Sequence, residues 1–101
     1  MAVSAEQGGT RLTVEGRITI DSSPALRDRL FDILRQNSPT ALIIDLTAVP
    51  YIDTSGLATL VEGLKIARAG NIPLRLSLHE RPRYLMEVTG LLALFEAPHD
   101  A

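Results

Sequence analysis

The chain has no cysteine and no tryptophan, and aromatic residues make up only 4% of its 101 residues. Without cysteine, disulfide frameworks, thiolate zinc sites and cysteine nucleophiles are excluded. Hydrophobic residues nevertheless make up 46% of the sequence, so aliphatic side chains must supply the core. The length suits one compact domain, which we predict to span residues 1–101.

Strong charge and long apolar runs are also lacking. The formal net charge is -2 and no basic stripe is present, so we do not expect nucleic acid as a partner. No apolar run approaches the roughly 20 residues that span a bilayer. The first residues lack the basic start and apolar core of a secretion signal. We therefore predict a cytoplasmic domain with no direct membrane insertion.

Three stretches carry the hydrophobic pattern of strands. Residues 11–20 alternate after a turn at Gly8-Gly9, as in a strand with one buried face that is interrupted at Gly16. Residues 74–78 alternate again. Residues 41–46 are nearly all apolar, which is typical of a central strand covered on both faces. In the first stretch, the residues expected on the buried face are Leu12, Val14, Ile18 and Ile20.

Helical spacing follows each of these strands. Ser23 and Pro24 suit the cap and first position of a helix that ends at residues 37–39, and an apolar stripe starts a second helix at Leu57. Pro82 opens a third helix that ends near Gly90, and residues 91–95 form either a last short helix or a strand. A short extended piece before the turn at Gly8-Gly9 is a fourth strand, which we expect to add an antiparallel edge. The order β-β-α-β-α-β-α predicts an α/β domain. Its mixed, mainly parallel sheet of four to five strands packs against about four helices.

The segment Asp53-Thr54-Ser55-Gly56-Leu57 places two hydroxyls beside an acid at the start of the second helix. Backbone N–H groups point outward at such a place, so the segment suits helix capping, anion binding or phosphorylation. Of the two hydroxyls, we expect Ser55 to be the helix cap. The residues alone leave simple capping open as the whole role of the segment.

Two loops follow the carboxyl ends of predicted strands, at residues 18–23 and 48–56. If those strands are neighbours, the two loops form one surface, where ligands and partners of open α/β sheets tend to bind. Asp21 and Ser22 in the first loop either meet a partner there or cap the first helix.

One side of the second helix carries residues at three- and four-residue steps. Gly63 is unfavourable inside a helix, and Ile66 points away from the apolar stripe, so this side suits close approach of a partner. A solvated face that tolerates a glycine is the alternative. The residues of this predicted outer face are Ser55, Thr59, Glu62, Gly63, Ile66 and Gly70.

We expect no catalytic residue, no metal site and no cofactor. His79 and His99 are far apart and lack ligand spacing, and the pair Asp45 and Asp53 suits loop hydrogen bonds better than acid–base chemistry. Neither a G-x-x-x-x-G-K-S/T phosphate loop nor a G-x-S-x-G nucleophile turn occurs. These residues therefore do not favour an enzyme.

With these landmarks together, the chain resembles the STAS domains, which include the anti-sigma-factor antagonists of bacteria. The motif at residues 53–57, which follows residues 43–46, is similar to the family signature. Gly16-Arg17-Ile18-Thr19 and Thr89-Gly90-Leu91 resemble two further family landmarks in the expected order. The resemblance covers nearly the whole chain.

The resemblance implies a switch. A GHKL-type Ser/Thr kinase, which is also the anti-sigma factor, would phosphorylate Thr54. The unphosphorylated domain would bind this kinase and release a sigma factor, and a PP2C-type phosphatase would reset the switch. The expected partner-binding residues are Asp53, Thr54, Ser55, Gly56, Thr19, Asp21, Ser22, Thr59, Gly63 and Ile66.

Two departures from the family pattern leave alternatives open. Thr54 replaces the commoner serine, and Thr19 replaces an acid often found in the first loop. Both suit STAS adaptors that bind the ATPase of lipid-transport ATP-binding-cassette complexes, where a threonine contacts the ATPase and no phosphorylation is needed. A scaffold subunit of a larger stress-signalling assembly is a third hypothesis.

Overall fold

The computed structural model describes residues 1–37 and 39–96. A π-helical turn at Ile33–Asn37 follows the first helix. The strands and α-helices in chain order are β1 (Ala2–Glu6), β2 (Gly9–Glu15), α1 (Ser23–Asp32), β3 (Leu42–Ala48), α2 (Thr54–Ala69), β4 (Leu74–Leu78), α3 (Glu80–Val88) and α4 (Leu91–Glu96).

The four strands form one sheet in the order β1-β2-β3-β4. β1 pairs antiparallel with β2, whereas β2–β3 and β3–β4 are parallel. Together with the four α-helices of the described residues, this confirms the predicted α/β domain with a mixed, mainly parallel sheet. Residues 91–96 are helical, which settles the alternative left open there.

The core lies on one face of the sheet and is almost entirely aliphatic. Leu42, Ile44 and Leu46 of β3 are fully buried, whereas Ile43 and Asp45 between them are half-buried. The prediction that this strand is covered on both faces is therefore wrong. Its second face carries an ion pair between Arg11 and Asp45, whose Nη1 and Oδ2 atoms are 2.9 Å apart.

The strand predicted over residues 11–20 is shorter than its alternation suggests. β2 ends at Glu15, and Gly16 takes a positive φ of 85° that turns the chain out of the strand. Ile18 returns to the core at 2% exposure, but Ile20 is 73% exposed. The prediction of a buried Ile20 is wrong because the period of two does not continue through this turn.

Helix boundaries differ slightly from the predictions. α1 begins at Ser23, so Ser22 and not Ser23 holds the N-cap position. α3 begins at Glu80, two residues before Pro82, because the Nδ1 atom of His79 accepts a hydrogen bond from the N–H of Arg81 and caps the helix. Gly90 follows α3 with a φ of 78°, as a residue beyond a helix end commonly does. Across the described residues, no helix has the length and apolar character needed to span a membrane.

Candidate functional site

The loops that follow β2 and β3 are joined by backbone hydrogen bonds. The N–H of Ile18 donates to the carbonyl of Tyr51 at 2.9 Å, and the N–H of Asp53 donates to the carbonyl of Ile18 at 3.0 Å. Ile18 and Ile52 thereby form an isolated parallel bridge beyond the strands. Because β2 and β3 are neighbours, the expected single surface at the carboxyl edge of the sheet is present.

α2 rests directly on these joined loops through Gly56. A Cβ atom on Gly56 would lie 2.6 Å from the Cγ2 atoms of both Ile18 and Ile52. These are stiff β-branched side chains, one from each loop. Only glycine therefore allows the first turn of the helix to sit this close to both loops.

The carboxylate of Asp53 is the centre of the site. Its Oδ1 atom accepts hydrogen bonds from the hydroxyl of Ser55 at 2.6 Å and from the N–H of Gly56 at 3.1 Å. Its Oδ2 atom accepts from the N–H of Ile20 at 3.0 Å. Asp53 thus caps α2 and also fixes the loop that follows β2. The prediction that Ser55 caps the helix is wrong, because its hydroxyl donates to Asp53 instead.

These hydrogen bonds keep Asp53 ionised. The pKa of Asp53 lies below its usual value, chiefly because the Ser55 hydroxyl donates to the carboxylate and also because the N–H groups of Gly56 and Ile20 point at it. A fixed negative charge therefore stands immediately before Thr54.

Ser55 is tied to a second helix start. The hydroxyl of Ser23, which is buried, donates to the Ser55 hydroxyl at 3.0 Å. The Ser55 oxygen thus accepts from Ser23 and donates to Asp53 at the same time. This chain of hydrogen bonds links the starts of α1 and α2 and leaves the Ser55 hydroxyl little freedom to react.

Thr54 differs from Ser55 in both exposure and bonding. It is the first residue of α2 and is exposed. Within residues 1–37 and 39–96, its hydroxyl makes no hydrogen bond, in contrast to the hydroxyls of Ser23 and Ser55. An incoming group would therefore reach the Thr54 oxygen without displacing any internal contact.

The three polar residues predicted in the first loop lie at the same edge of the sheet. Ser22 accepts from the N–H of Thr19 at 2.9 Å and donates to the carbonyl of Arg17 at 3.0 Å. Thr19 accepts from the N–H of Asp21 at 3.2 Å. The two hydroxyls hold the loop, and neither caps α1. Asp21 is exposed.

The prediction that one side of α2 faces outward is wrong for the central residues of that side. Thr59 is buried, and its hydroxyl donates to the carbonyl of Ser55 at 3.0 Å. A Cβ atom on Gly63 would lie 2.5 Å from Cδ2 of Leu30 in α1. The small residues on this side allow α1, not a separate protein, to approach closely. Ile66 is half-buried against the core.

Two exposed apolar residues at the edge were missed by the sequence reasoning. Ile20 is exposed next to Asp53, and Tyr51 is 43% exposed beneath the guanidinium of Arg17, which lies 4.5 Å from the ring centroid. The only sequence signals were the glycine at position 16, which interrupts the alternation, and Pro50 directly before the tyrosine.

The other candidate groups have structural contacts. His79 caps α3, and Asp45 accepts from the Thr47 hydroxyl at 2.6 Å and from Arg11. In the part of the chain that the structure describes, no group of three or more histidine and acidic side chains is placed to hold a metal ion. His99 lies outside the described residues.

The chain is similar in sequence to known proteins over most of its length. The family model of the STAS domain matches residues 2–101. The chain is 31% identical to the anti-sigma-F factor antagonist RsfB of Mycobacterium tuberculosis over 100% of this chain and 84% of that protein. It is also 31% identical to the anti-sigma-B factor antagonist of Bacillus subtilis over 88% of this chain and 81% of that one.

Solved structures show the same fold. An anti-sigma factor antagonist from Mycobacterium paratuberculosis superposes with a TM-score of 0.78 at 26% identity, over 93% of this chain and 80% of that one. A sulfate transporter family protein from Wolinella succinogenes shares the fold at a TM-score of 0.70 and 22% identity, over 84% of this chain and 69% of that one. The chain therefore belongs to the STAS domain family.

Proposed function

We propose that this protein is an anti-sigma-factor antagonist whose binding is switched by phosphorylation of Thr54. The observation that carries the proposal is the difference between two adjacent hydroxyls. Thr54 is exposed and its hydroxyl makes no hydrogen bond among the described residues, whereas the Ser55 hydroxyl is held by Asp53 and Ser23. The mycobacterial and Bacillus relatives are an anti-sigma-F factor antagonist and an anti-sigma-B factor antagonist, which supports this role.

Simple electrostatics explains how a phosphate would act here. A phosphate adds about -1.5 to -2 charges at neutral pH, and the start of a helix tolerates an anion because its N–H groups and dipole favour negative charge. The domain itself would therefore change little. A partner pressed onto Thr54 would have to bury that charge, together with the charge of Asp53, without a compensating group.

The proposed partners follow from this switch. In the unphosphorylated form, the edge formed by Asp53, Thr54 and Asp21 binds an anti-sigma factor that is also a GHKL-type kinase, and a sigma factor is released. Gly56, which is buried against Ile18 and Ile52, supports this edge from within. Phosphorylation by the same kinase ends the complex. A PP2C-type phosphatase removes the phosphate, and the cycle takes place in the cytoplasm.

The test uses variants of the two adjacent hydroxyls. The GHKL-type kinase encoded in the source organism is purified, and its affinity is measured for the wild-type protein, Thr54→Ala, Thr54→Asp and Ser55→Ala. We expect the wild type and Thr54→Ala to bind, and Thr54→Asp to lose at least about tenfold in affinity, the order of effect seen when an unpaired charge is buried at an interface. Phosphopeptide mass spectrometry after incubation with ATP is expected to find phosphate on Thr54 and none on Ser55.

Equal binding of Thr54→Ala and Thr54→Asp would contradict the switch. If Thr54 carries no phosphate in protein from the native host, grown with and without stress, and the protein co-purifies with a transporter ATPase and permease, the adaptor hypothesis replaces it. Ser55→Ala is the matched control, since it removes a hydroxyl one residue away while leaving Thr54 in place.

A further inference from the structure

A groove separates the loop that follows β3 from α3. Its volume is about 280 Å³, and its walls are formed by Pro50, Tyr51 and Ile52 on one side and by Arg81 and Leu85 of α3 on the other. The loop wall continues directly into Asp53 and Thr54. The groove therefore adjoins the candidate site, but the hydrogen bonds around Asp53 and Thr54 do not explain why it is there.

The groove is basic. Among the described residues that line it, two are arginines, Arg17 and Arg81, and none is acidic. Neither guanidinium forms an ion pair within residues 1–37 and 39–96, whereas Arg11, Arg27 and Arg83 do. The guanidinium of Arg17 instead lies over the ring of Tyr51, a contact that leaves N–H groups available to a carboxylate.

The groove is also apolar at its rim. Leu85 is 55% exposed, and Tyr84 and Val88 of the same helix are exposed as well. α3 places its buried residues Pro82 and Met86 against the domain, so these apolar side chains lie on its uncovered side. Several exposed apolar side chains beside two unpaired arginines are typical of an interaction surface rather than of a solvated face.

We propose that this groove binds an acidic segment of a partner protein, with an aliphatic or aromatic side chain flanked by carboxylates. The carboxylates would pair with Arg17 and Arg81, and the apolar side chain would pack on Tyr51 and Leu85. The two arginines favour an acidic occupant, and the apolar rim favours a peptide over a small anion. This proposal goes beyond the phosphorylation switch and holds whether or not Thr54 is modified.

The experiment needs no knowledge of the natural partner. Phage-displayed random dodecapeptides are selected on the full-length protein, and the selected peptides are synthesised and measured by fluorescence polarisation at low and high salt. We expect them to be enriched in Asp and Glu next to Leu, Ile or Phe. We expect binding to weaken with salt, because exposed charge pairs are screened, and to perturb the NMR amide signals of Tyr51 and Leu85.

Charge reversal locates the binding site. Arg17→Glu and Arg81→Glu are each expected to weaken peptide binding by about tenfold or more, because a carboxylate would face a carboxylate. Arg75→Glu is the matched control: Arg75 is also exposed and without an ion pair among the described residues, but it lies on β4 and outside this groove. Leu85→Ser is expected to weaken binding without changing its salt dependence.

Three results would overturn the proposal. One is selection of neutral or basic peptides, or of none. Another is a loss of binding in Arg75→Glu as large as in Arg17→Glu and Arg81→Glu. The third is a set of NMR changes that excludes residues 50–52 and α3. Thermal melts of every variant exclude unfolding as the cause of lost binding.

Discussion

The starts of α1 and α2 stand side by side at the carboxyl edge of the sheet, and they use their hydroxyls differently. At α1, Ser22 and Ser23 both make internal hydrogen bonds, and the N-cap position has no side-chain cap. At α2, Asp53 caps the helix and accepts from the Ser55 hydroxyl, but the Thr54 hydroxyl has no hydrogen bond within the described part of the chain. Hydroxyl content alone therefore does not identify the reactive position, since three of the four side chains hold the structure together.

The two starts also depend on each other. Ser23 donates to Ser55, Ser55 donates to Asp53, and Asp53 accepts from Ile20 in the loop that leads to α1. Thr54 is presented by a framework that neither helix forms alone. We therefore expect variants of the framework to reduce stability and variants of Thr54 to leave it unchanged.

The largest effect is expected for Gly56→Ala. The new Cβ would lie 2.6 Å from Ile18 and Ile52, so α2 must move away from the joined loops. We expect a loss of about 1–3 kcal/mol in the free energy of unfolding, the usual result of overpacking a core, although alanine has the better helix propensity. Urea unfolding monitored by circular dichroism measures it.

Gly70→Ala is the matched control for this substitution. A Cβ atom on Gly70 would meet its nearest neighbour at 3.6 Å, which is ordinary contact. We expect Gly70→Ala to be as stable as the wild type or slightly more stable. A loss in Gly70→Ala equal to that in Gly56→Ala would contradict close packing of Gly56 as the cause.

A smaller effect is expected for Ser55→Ala. This variant removes the hydrogen bond to Asp53 and leaves the buried hydroxyl of Ser23 without its acceptor. We expect a loss of about 1–2 kcal/mol. In the double variant with Ser23→Ala, the loss should be smaller than the sum of the two single losses, because the shared bond is counted in both. Strict additivity would mean that the two serines do not interact.

The alternation of strand and helix patterns was sufficient to predict the sheet and most helices. Aliphatic periodicity depends on the core alone, and the core of this chain is simple. The motif at residues 53–57 was also found from sequence, because an acid and two hydroxyls before a helix are a strong local signal. These parts of the structure are determined by neighbours in the chain.

The wrong predictions concern residues whose surroundings depend on contacts with distant parts of the chain or on a break in the backbone pattern. Thr59 and Gly63 have the spacing of an outward face, but Leu30 of α1 fills the space above Gly63. The sequence of α2 alone does not indicate that α1 packs there. Ser55 looks like a cap, but its hydroxyl accepts from Ser23, 32 positions away, and donates to Asp53. Ile20 itself was misplaced because a single positive φ at Gly16 breaks the alternation.

A pH-dependent difference is expected for Asp53→Asn. Asparagine still suits an N-cap, but it lacks the charge that the Ser55 hydroxyl and two N–H groups stabilise. Because the pKa of Asp53 is lowered in the folded state, its charge stabilises the fold above the unfolded-state pKa of about 3.9. This contribution is lost as pH falls through the lower, folded-state pKa.

Thermal melts of the wild type and Asp53→Asn across this range test the linkage. The wild type is expected to have a higher Tm by a few degrees from about pH 5 to pH 8, above the ordinary carboxyl pKa, and the two curves should converge in stronger acid. Circular dichroism at each pH verifies that both proteins start folded. A constant difference down to the lowest pH would show that the charge of Asp53 contributes nothing to stability.

The smallest effect on stability is expected for Thr54→Ala, which is the reverse of its expected effect on binding. The side chain is exposed and its hydroxyl has no hydrogen bond among the described residues, so truncation should change the free energy of unfolding by less than about 0.5 kcal/mol, as is usual at surface positions. Urea unfolding of Thr54→Ala beside Ser55→Ala compares two hydroxyl removals one residue apart. A loss in Thr54→Ala as large as that in Ser55→Ala would mean that Thr54 is another structural hydroxyl. The contrast between the two helix starts, on which the proposed switch depends, would then disappear.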